Sequence, residues 1–276
     1  MSKLQFKNKW VLVTGASSGL GLEMARQLAY QHQANLILLA RRKDKLEELK
    51  AELEPGAKVS VKVIVADLSD LNDVDKAIDA VLKDGQLYGA ILNAGVTYFG
   101  RNSDLPWEQF QTMLQTNVIS VVRITNRLVT HFETTGNEGG ILIVSSMAAL
   151  FPVPYQSAYS ATKAFILSFA RALVHEIKNP NFSLGVYAPG GIVTEMTAGE
   201  NFHDLQGWLM PVKEAAEEGI YAFQTRKGTY IPGLLNRVGG FFMNLAPKKF
   251  ITGKMSKIYE RALVKAENIS GRPKKK

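Results

Sequence analysis

The sequence predicts an α/β domain built on a doubly wound, parallel, seven-stranded sheet with helices on both faces, followed by a C-terminal helical appendage. Three observations predict it. Short runs rich in Val, Ile and Leu alternate with longer helical patterns, the order of successive βαβ units whose strands are buried on both faces. The connections are short enough for right-handed crossovers. A chain of 276 residues with 46% hydrophobic and 21% charged side chains can bury one large core, which excludes wholesale disorder.

Strands are expected at 10–14, 35–40, 59–66, 89–93, 140–145, 183–188 and 229–232, and helices near 19–31, 42–53, 70–83, 106–134, 155–178 and 211–226. No linker, repeat or low-complexity block breaks the pattern, so 1–232 reads as one domain. Residues 233–276 read as a basic extension of it, helical over 234–268, with a disordered end from Gly271. The longest uncharged stretch, Gly139 to Thr162, contains Pro152, Pro154 and Gln156 and is no membrane helix. Before the apolar run at Trp10 there is no leader pattern of charged, apolar and small residues, so the expected location is the cytoplasm.

The absence of cysteine excludes a disulfide scaffold, a thiol nucleophile and thiolate zinc sites. His32, His131, His175 and His203 show no paired ligand spacing, so no metal is expected. The net charge of +8 resides in the tail: from Pro247 onward ten Lys and Arg face Glu260 and Glu267, which leaves 23 basic and 23 acidic residues before it. The main body is neutral and nucleic acid is not expected as a partner.

The first strand runs into Thr14-Gly15-Ala16-Ser17-Ser18-Gly19-Leu20-Gly21 and then a helix. Glycines there allow a tight turn and close approach of a diphosphate, whose charge the free N–H groups and the helix dipole stabilise. The same residues fit the nucleophile elbow of a serine hydrolase, with Ser17 as nucleophile. That alternative needs an earlier strand to supply an oxyanion donor, and only nine residues precede Trp10. The second strand ends Ala40-Arg41-Arg42, where an NAD site would place a carboxylate for the ribose 2′-hydroxyl. Two arginines at a helix start suit a bound anion, so a 2′-phosphate, and hence NADP(H) over NAD(H), is expected.

Tyr159 and Lys163 stand at i and i+4, on one helical face. Ser146 lies thirteen residues upstream at a strand end, and Asn117 lies in the long fourth helical segment. With TGASSGLG at 14–21, Asp67 after the third strand, Asn93-Ala94-Gly95 after the fourth, and Pro189-Gly190 with Thr194, the chain resembles the short-chain dehydrogenase/reductase family over about residues 8–232. One departure is Leu92, where many members carry a second Asn.

The resemblance implies a Rossmann-type fold and a hydride-transfer oxidoreductase acting on a carbonyl or secondary alcohol. It implies that Asn117 holds a water linking Lys163 to solvent and that Lys163 contacts the nicotinamide ribose. Asp67 would contact the adenine, Asn93 with Ala94 and Gly95 would order the cofactor-side turn, and Thr194 would contact the carboxamide. Gly15, Ser17, Ser18, Gly19, Leu20, Gly21, Leu68, Pro189, Gly190 and Ile192 complete the expected cofactor contacts.

The chemistry suits these side chains independently. A carbonyl that receives a hydride needs a proton at oxygen, which Tyr159 can donate, while a phenol of pKa about 10 is a poor base for the reverse reaction. Lys163⁺ and an oxidised nicotinamide would favour the phenolate; a shift of ~3 units needs ~4 kcal/mol. Ser146 would polarise the carbonyl oxygen. A cofactor-binding sensor without catalysis is the second alternative.

Residues 195–211, with Met196, Phe202, Leu205, Trp208, Leu209 and Met210, are expected to form an apolar lid suited to a hydrophobic substrate. In the appendage Ile251, Met255, Ile258, Tyr259 and Ala262 share a face beside Lys254, Lys257, Arg261 and Lys265. Such a helix is expected to dock on its own domain or in a homodimer or homotetramer contact, with weak binding to an anionic membrane as the alternative.

Overall fold

The computed structural model describes residues 1–198, 209–245 and 247–269. Its strands are Trp10–Thr14 (β1), Asn35–Ala40 (β2), Val61–Val65 (β3), Leu87–Leu92 (β4), Gly139–Val144 (β5), Phe182–Tyr187 (β6) and Thr229–Tyr230 (β7). All pairs are parallel, in the order β3-β2-β1-β4-β5-β6-β7. The order reverses between β1 and β4. There the loops leaving the carboxyl ends of the two strands diverge and leave a crevice, where doubly wound sheets bind ligands.

The helices are Gly19–His32 (α1), Lys43–Ala57 (α2), Leu71–Leu82 (α3), Trp107–Leu114 (α4), Ser120–Thr135 (α5), Ser157–Leu173 (α6), Val212–Gln224 (α7), Leu234–Leu245 (α8) and Lys248–Ile269 (α9). Strand alternation divides the core. Val11, Val13, Leu36 and Leu38 pack with Met24, Leu28 and Ile220 on one face, while Leu12, Ile37 and Leu39 pack with Val74, Ile78, Leu128 and Ile166 on the other. Each such buried aliphatic side chain contributes about 1.5–3 kcal/mol, so both helical layers are anchored by the sheet they cover.

The differences from expectation lie at ends and breaks. α2 continues past Pro55 to Ala57; in a last turn one missing N–H is tolerated, and Glu54 ties the end to β3 by accepting from the Val61 N–H at 3.2 Å. The single helix expected over 106–134 is two, joined by a π-helical turn at Gln115–Ile119. α6 is shorter than 155–178, starting after Tyr155, whose φ is +62°. The strand expected at 229–232 stops before Pro232, which has no N–H for the ladder. The appendage is two helices rather than one. Pro247 begins the second, accepting at its carbonyl from the Phe250 N–H at 2.9 Å, because proline starts a helix but cannot continue one.

Among the described residues no helix is long and apolar enough to cross a membrane, and no cluster of His, Asp and Glu could hold a metal ion. The expected disordered end at 271–276 and the lid residues Phe202, Leu205 and Trp208 lie outside the described residues, as does His203.

Candidate active site

The glycine turn joins β1 to α1 at the switch point. Gly15 has φ +68° and Gly19 φ +54°, conformations that side chains rarely adopt. A Cβ on Gly15 would lie 2.9 Å from the Ala94 Cα, and one on Gly21 would lie 2.4 Å from the Gly15 carbonyl oxygen. Packing therefore demands glycine at both. Ser18 is the N-cap of α1 without a side-chain cap, and the first turn holds no acid. Its N–H groups are thus left for an anion, which fits a cofactor diphosphate. Leu20 faces inward and is buried in the core.

Thr14 fastens this turn to the loop after β4. Its buried Oγ1 accepts from the backbone N–H groups of Asn93 and Ala94, each at 3.0 Å, and its carbonyl accepts from Asn93 Nδ2 at 3.1 Å. Sequence reading missed Thr14; a Thr at the carboxyl end of the first strand was the available signal, but its partners are some eighty residues away. On the other side Thr194 packs on Gly19, lying 3.3 Å from where a Cβ would stand. Ile192 is buried and pairs with Met210 across an isolated bridge, so the two described ends of the expected lid are joined.

Of the two arginines, Arg42 reaches the turn. Its guanidinium donates to the Ser17 hydroxyl and carbonyl, both at 3.3 Å, and pairs with Glu195 at 3.3 Å. It is the N-cap of α2 rather than part of the helix. Arg41 instead lies 3.9 Å from Asp67, whose carboxylate also accepts from the Ser69 N–H and hydroxyl at 2.9 and 2.8 Å. All four charged groups are solvent-exposed, so these pairs contribute little by themselves and leave the guanidiniums available to a phosphate. The Leu68 side chain is in the core; only its backbone can meet a cofactor. Ser17 faces a cation rather than a base, which speaks against the hydrolase alternative.

The four expected catalytic side chains converge beyond β4 and β5. The π turn carries Asn117 inward until it is 1% exposed. Its Oδ1 accepts from the Val96 N–H at 2.9 Å, and its Nδ2 donates to the Val96 carbonyl at 2.9 Å and to Thr162 Oγ1 at 3.1 Å. Single extra residues of this kind recur at functional sites in helices. Gly95 separates Asn117 from Lys163: a Cβ there would lie 3.3 Å from Asn117 Oδ1 and 3.4 Å from Lys163 Nζ.

Lys163 is 6% exposed, and its Nζ donates to the Val144 carbonyl at 3.0 Å and lies 5.8 Å from the centroid of the Tyr159 ring. Ser146 caps a short 3-10 turn at Met147–Ala149, its hydroxyl accepting from the Ala148 N–H at 3.1 Å and lying 3.5 Å from the Pro189 carbonyl. The Met147 N–H donates to the same Pro189 carbonyl at 2.7 Å. This fixes the Pro189-Gly190 loop beside Ser146.

Burial sets the electrostatics. It lowers Lys163 from its ordinary value to about 8, and it raises Tyr159, an effect the nearby Ser146 hydroxyl opposes and Tyr259 of α9 reinforces. The expected acidification of Tyr159 by Lys163 is therefore not expressed in the protein alone. Desolvation disfavours the charged form of each group, and burial outweighs the help of Ser146.

A profile of the family described as short chain dehydrogenase matches residues 9–204. Human 17-beta-hydroxysteroid dehydrogenase type 3 is 34% identical over 201 residues, 71% of this chain and 63% of the relative. A human protein named inactive hydroxysteroid dehydrogenase-like protein 1 is 31% identical over 211 residues, 74% of this chain and 62% of the relative. The chain thus spans under two thirds of the length of these curated relatives. Among solved structures, a short-chain dehydrogenase from Sphingobium yanoikuyae in complex with NADPH superposes with a TM-score of 0.77 at 26% identity, covering 86% of this chain and 94% of the other.

Proposed function

Because the chain belongs to the short-chain dehydrogenase/reductase family, we propose that it is an NADP(H)-dependent oxidoreductase acting on an apolar ketone or the matching secondary alcohol. The observation that carries this reading is the convergence of Ser146, Tyr159, Lys163 and Asn117 beyond β4 and β5, on the same edge of the sheet as a glycine turn whose N–H groups are uncapped. Family membership alone does not carry turnover, since one relative is named inactive; the reading therefore rests on these four side chains.

A bound nicotinamide supplies or accepts the hydride. The protein's part is acid–base and electrostatic. The phenol of Tyr159, kept protonated by burial, donates its proton to the carbonyl oxygen in reduction. The Ser146 hydroxyl hydrogen-bonds that oxygen as negative charge develops on it. Lys163⁺ stabilises the phenolate left behind, and Asn117 holds the Val96 backbone and Thr162 so that the loop over Lys163 keeps its shape. Gly15, Gly19 and Gly21 with the start of α1 would hold the diphosphate. Arg42 and Arg41 would read the 2′-phosphate, since β2 ends in Ala40-Arg41-Arg42 and not in a carboxylate.

A cytoplasmic location and a homodimer or homotetramer belong to the same proposal. The exposed Trp107 and Phe165 on α4 and α6 support the assembly, which light scattering tests. The activity is tested by following nicotinamide absorbance with a panel of ketones and either NADPH or NADH. Ketone-dependent oxidation of NADPH in preference to NADH is expected; no oxidation with any ketone would overturn the reading.

A further inference from the structure

α9 is more than a basic tail. Ile251 and Ala262, 7% and 4% exposed, are eleven residues apart, three helical turns, and therefore point to the same side. Tyr259 follows that face. Its ring meets the Phe99 ring edge-on at 5.2 Å, and Phe99 is buried in the loop that leaves Asn93-Ala94-Gly95. The Gly100 N–H donates to the Tyr155 carbonyl at 2.9 Å, tying that loop to the segment that enters α6 and presents Tyr159. Tyr259 thus flanks, through Phe99, the segment that presents the catalytic phenol.

α8 closes the opposite side. A Cβ on Gly240 would lie 3.6 Å from Leu150 and 3.7 Å from Met147, and one on Gly190 would lie 3.4 Å from Asn236. The appendage therefore flanks both the Ser146 and the Tyr159 side of the site. Burial pushes the Tyr259 phenol up, so it is neutral at physiological pH. A rigid aromatic ring that stays neutral is suited to meeting an apolar ligand.

We propose that Tyr259 is a specificity-determining residue whose ring forms an apolar substrate wall on the Tyr159 side of the site and favours ketones with a larger apolar body. The proposal rests on the oxidoreductase reading, and its test is arranged so that the two fail separately. 2-Decalone, bicyclic and larger, and cyclohexanone are titrated calorimetrically into full-length, NADP⁺-loaded Tyr159→Phe protein, alone and combined with Tyr259→Ala, Tyr259→Trp or Val264→Ala.

Tyr259→Ala is expected to weaken 2-decalone about tenfold or more while changing cyclohexanone less than about threefold, because the larger body loses more wall contact. The exposed Val264→Ala should change neither. NADP⁺ affinity reports whether each variant folds; if Tyr259→Ala does not, Tyr259→Trp, which keeps the aromatic contact with Phe99, must shift the ratio of the two affinities by about tenfold. An unchanged ratio in a folded variant, or no binding of 2-decalone to the Tyr159→Phe parent, would overturn the proposal. The oxidoreductase reading fails differently, through wild-type protein that oxidises NADPH with no ketone.

Discussion

Lys163 and Tyr159 illustrate how burial prepares a proton donor. Both are held toward their neutral forms, the lysine down to about 8 and the phenol above its ordinary value. Lys163 therefore loses its charge within the accessible range: it is protonated below about pH 8 and neutral above. Since the charge stabilises a developing phenolate, kcat/KM for ketone reduction should fall as pH rises through about 8. Lys163→Arg, which stays charged, should move that fall upward; an unchanged pH profile would separate Lys163 from proton transfer. Arg42 carries a second prediction. Arg42→Ala should lose ~1.5–3 kcal/mol of NADPH affinity and little NADH affinity, with a smaller loss for Arg41→Ala because Arg41 leans toward Asp67. Titration of both cofactors into each variant decides it. The sequence put both arginines at the end of β2; which one turns toward Ser17 depends on rotamers and was not legible.

The glycine turn and the π turn are the two local devices that build the site. Gly21→Ala places a methyl against the backbone carbonyl of Gly15 and the Asn93 side-chain amide that Thr14 holds, so the turn must deform. NADPH binding should be largely lost while the far-UV spectrum of the sheet and helices persists. Asn117→Ala takes away the partner of the half-buried Val96 N–H and carbonyl, at about 0.5–1.5 kcal/mol for each hydrogen bond; urea unfolding measures that cost, and a stability equal to wild type would refute it. The glycine turn was readable because strand, turn and helix follow one another within fifteen residues. The π turn was not. Residues 106–134 carry one continuous apolar stripe, and the extra residue at Gln115–Ile119 is enforced by Val96 and Thr162, which come from other elements. For the same reason α9's place over the site was invisible: the amphipathic pattern showed that Ile251, Tyr259 and Ala262 share a face but not that Phe99 lies opposite it.

The neutral body and basic extension divide the labour of the chain. The doubly wound architecture and the run of seven strands with their intervening helices follow from periodicity and chain order, and these were legible; the order of the strands in the sheet came from their pairing in space. What the extension does depended on tertiary contacts. Ile251 and Ala262 are buried, so truncation after Ala246 exposes apolar surface and should lower the melting temperature by several degrees. The Lys254, Lys257 and Arg261 side chains stay exposed, and full-length protein should show at most weak vesicle binding that disappears at high salt. A truncation as stable as the full chain would leave the extension without a structural role.

All of this depends on Tyr159 being the group that gives up the proton. The direct measurement is NADPH oxidation with a ketone that the wild type accepts, compared with Tyr159→Phe, alongside NADPH affinity for both proteins. Removing one hydroxyl should abolish turnover and leave NADPH affinity within about twofold, since the loss falls on the transition state. A Phe variant that retains most of the activity would contradict the account.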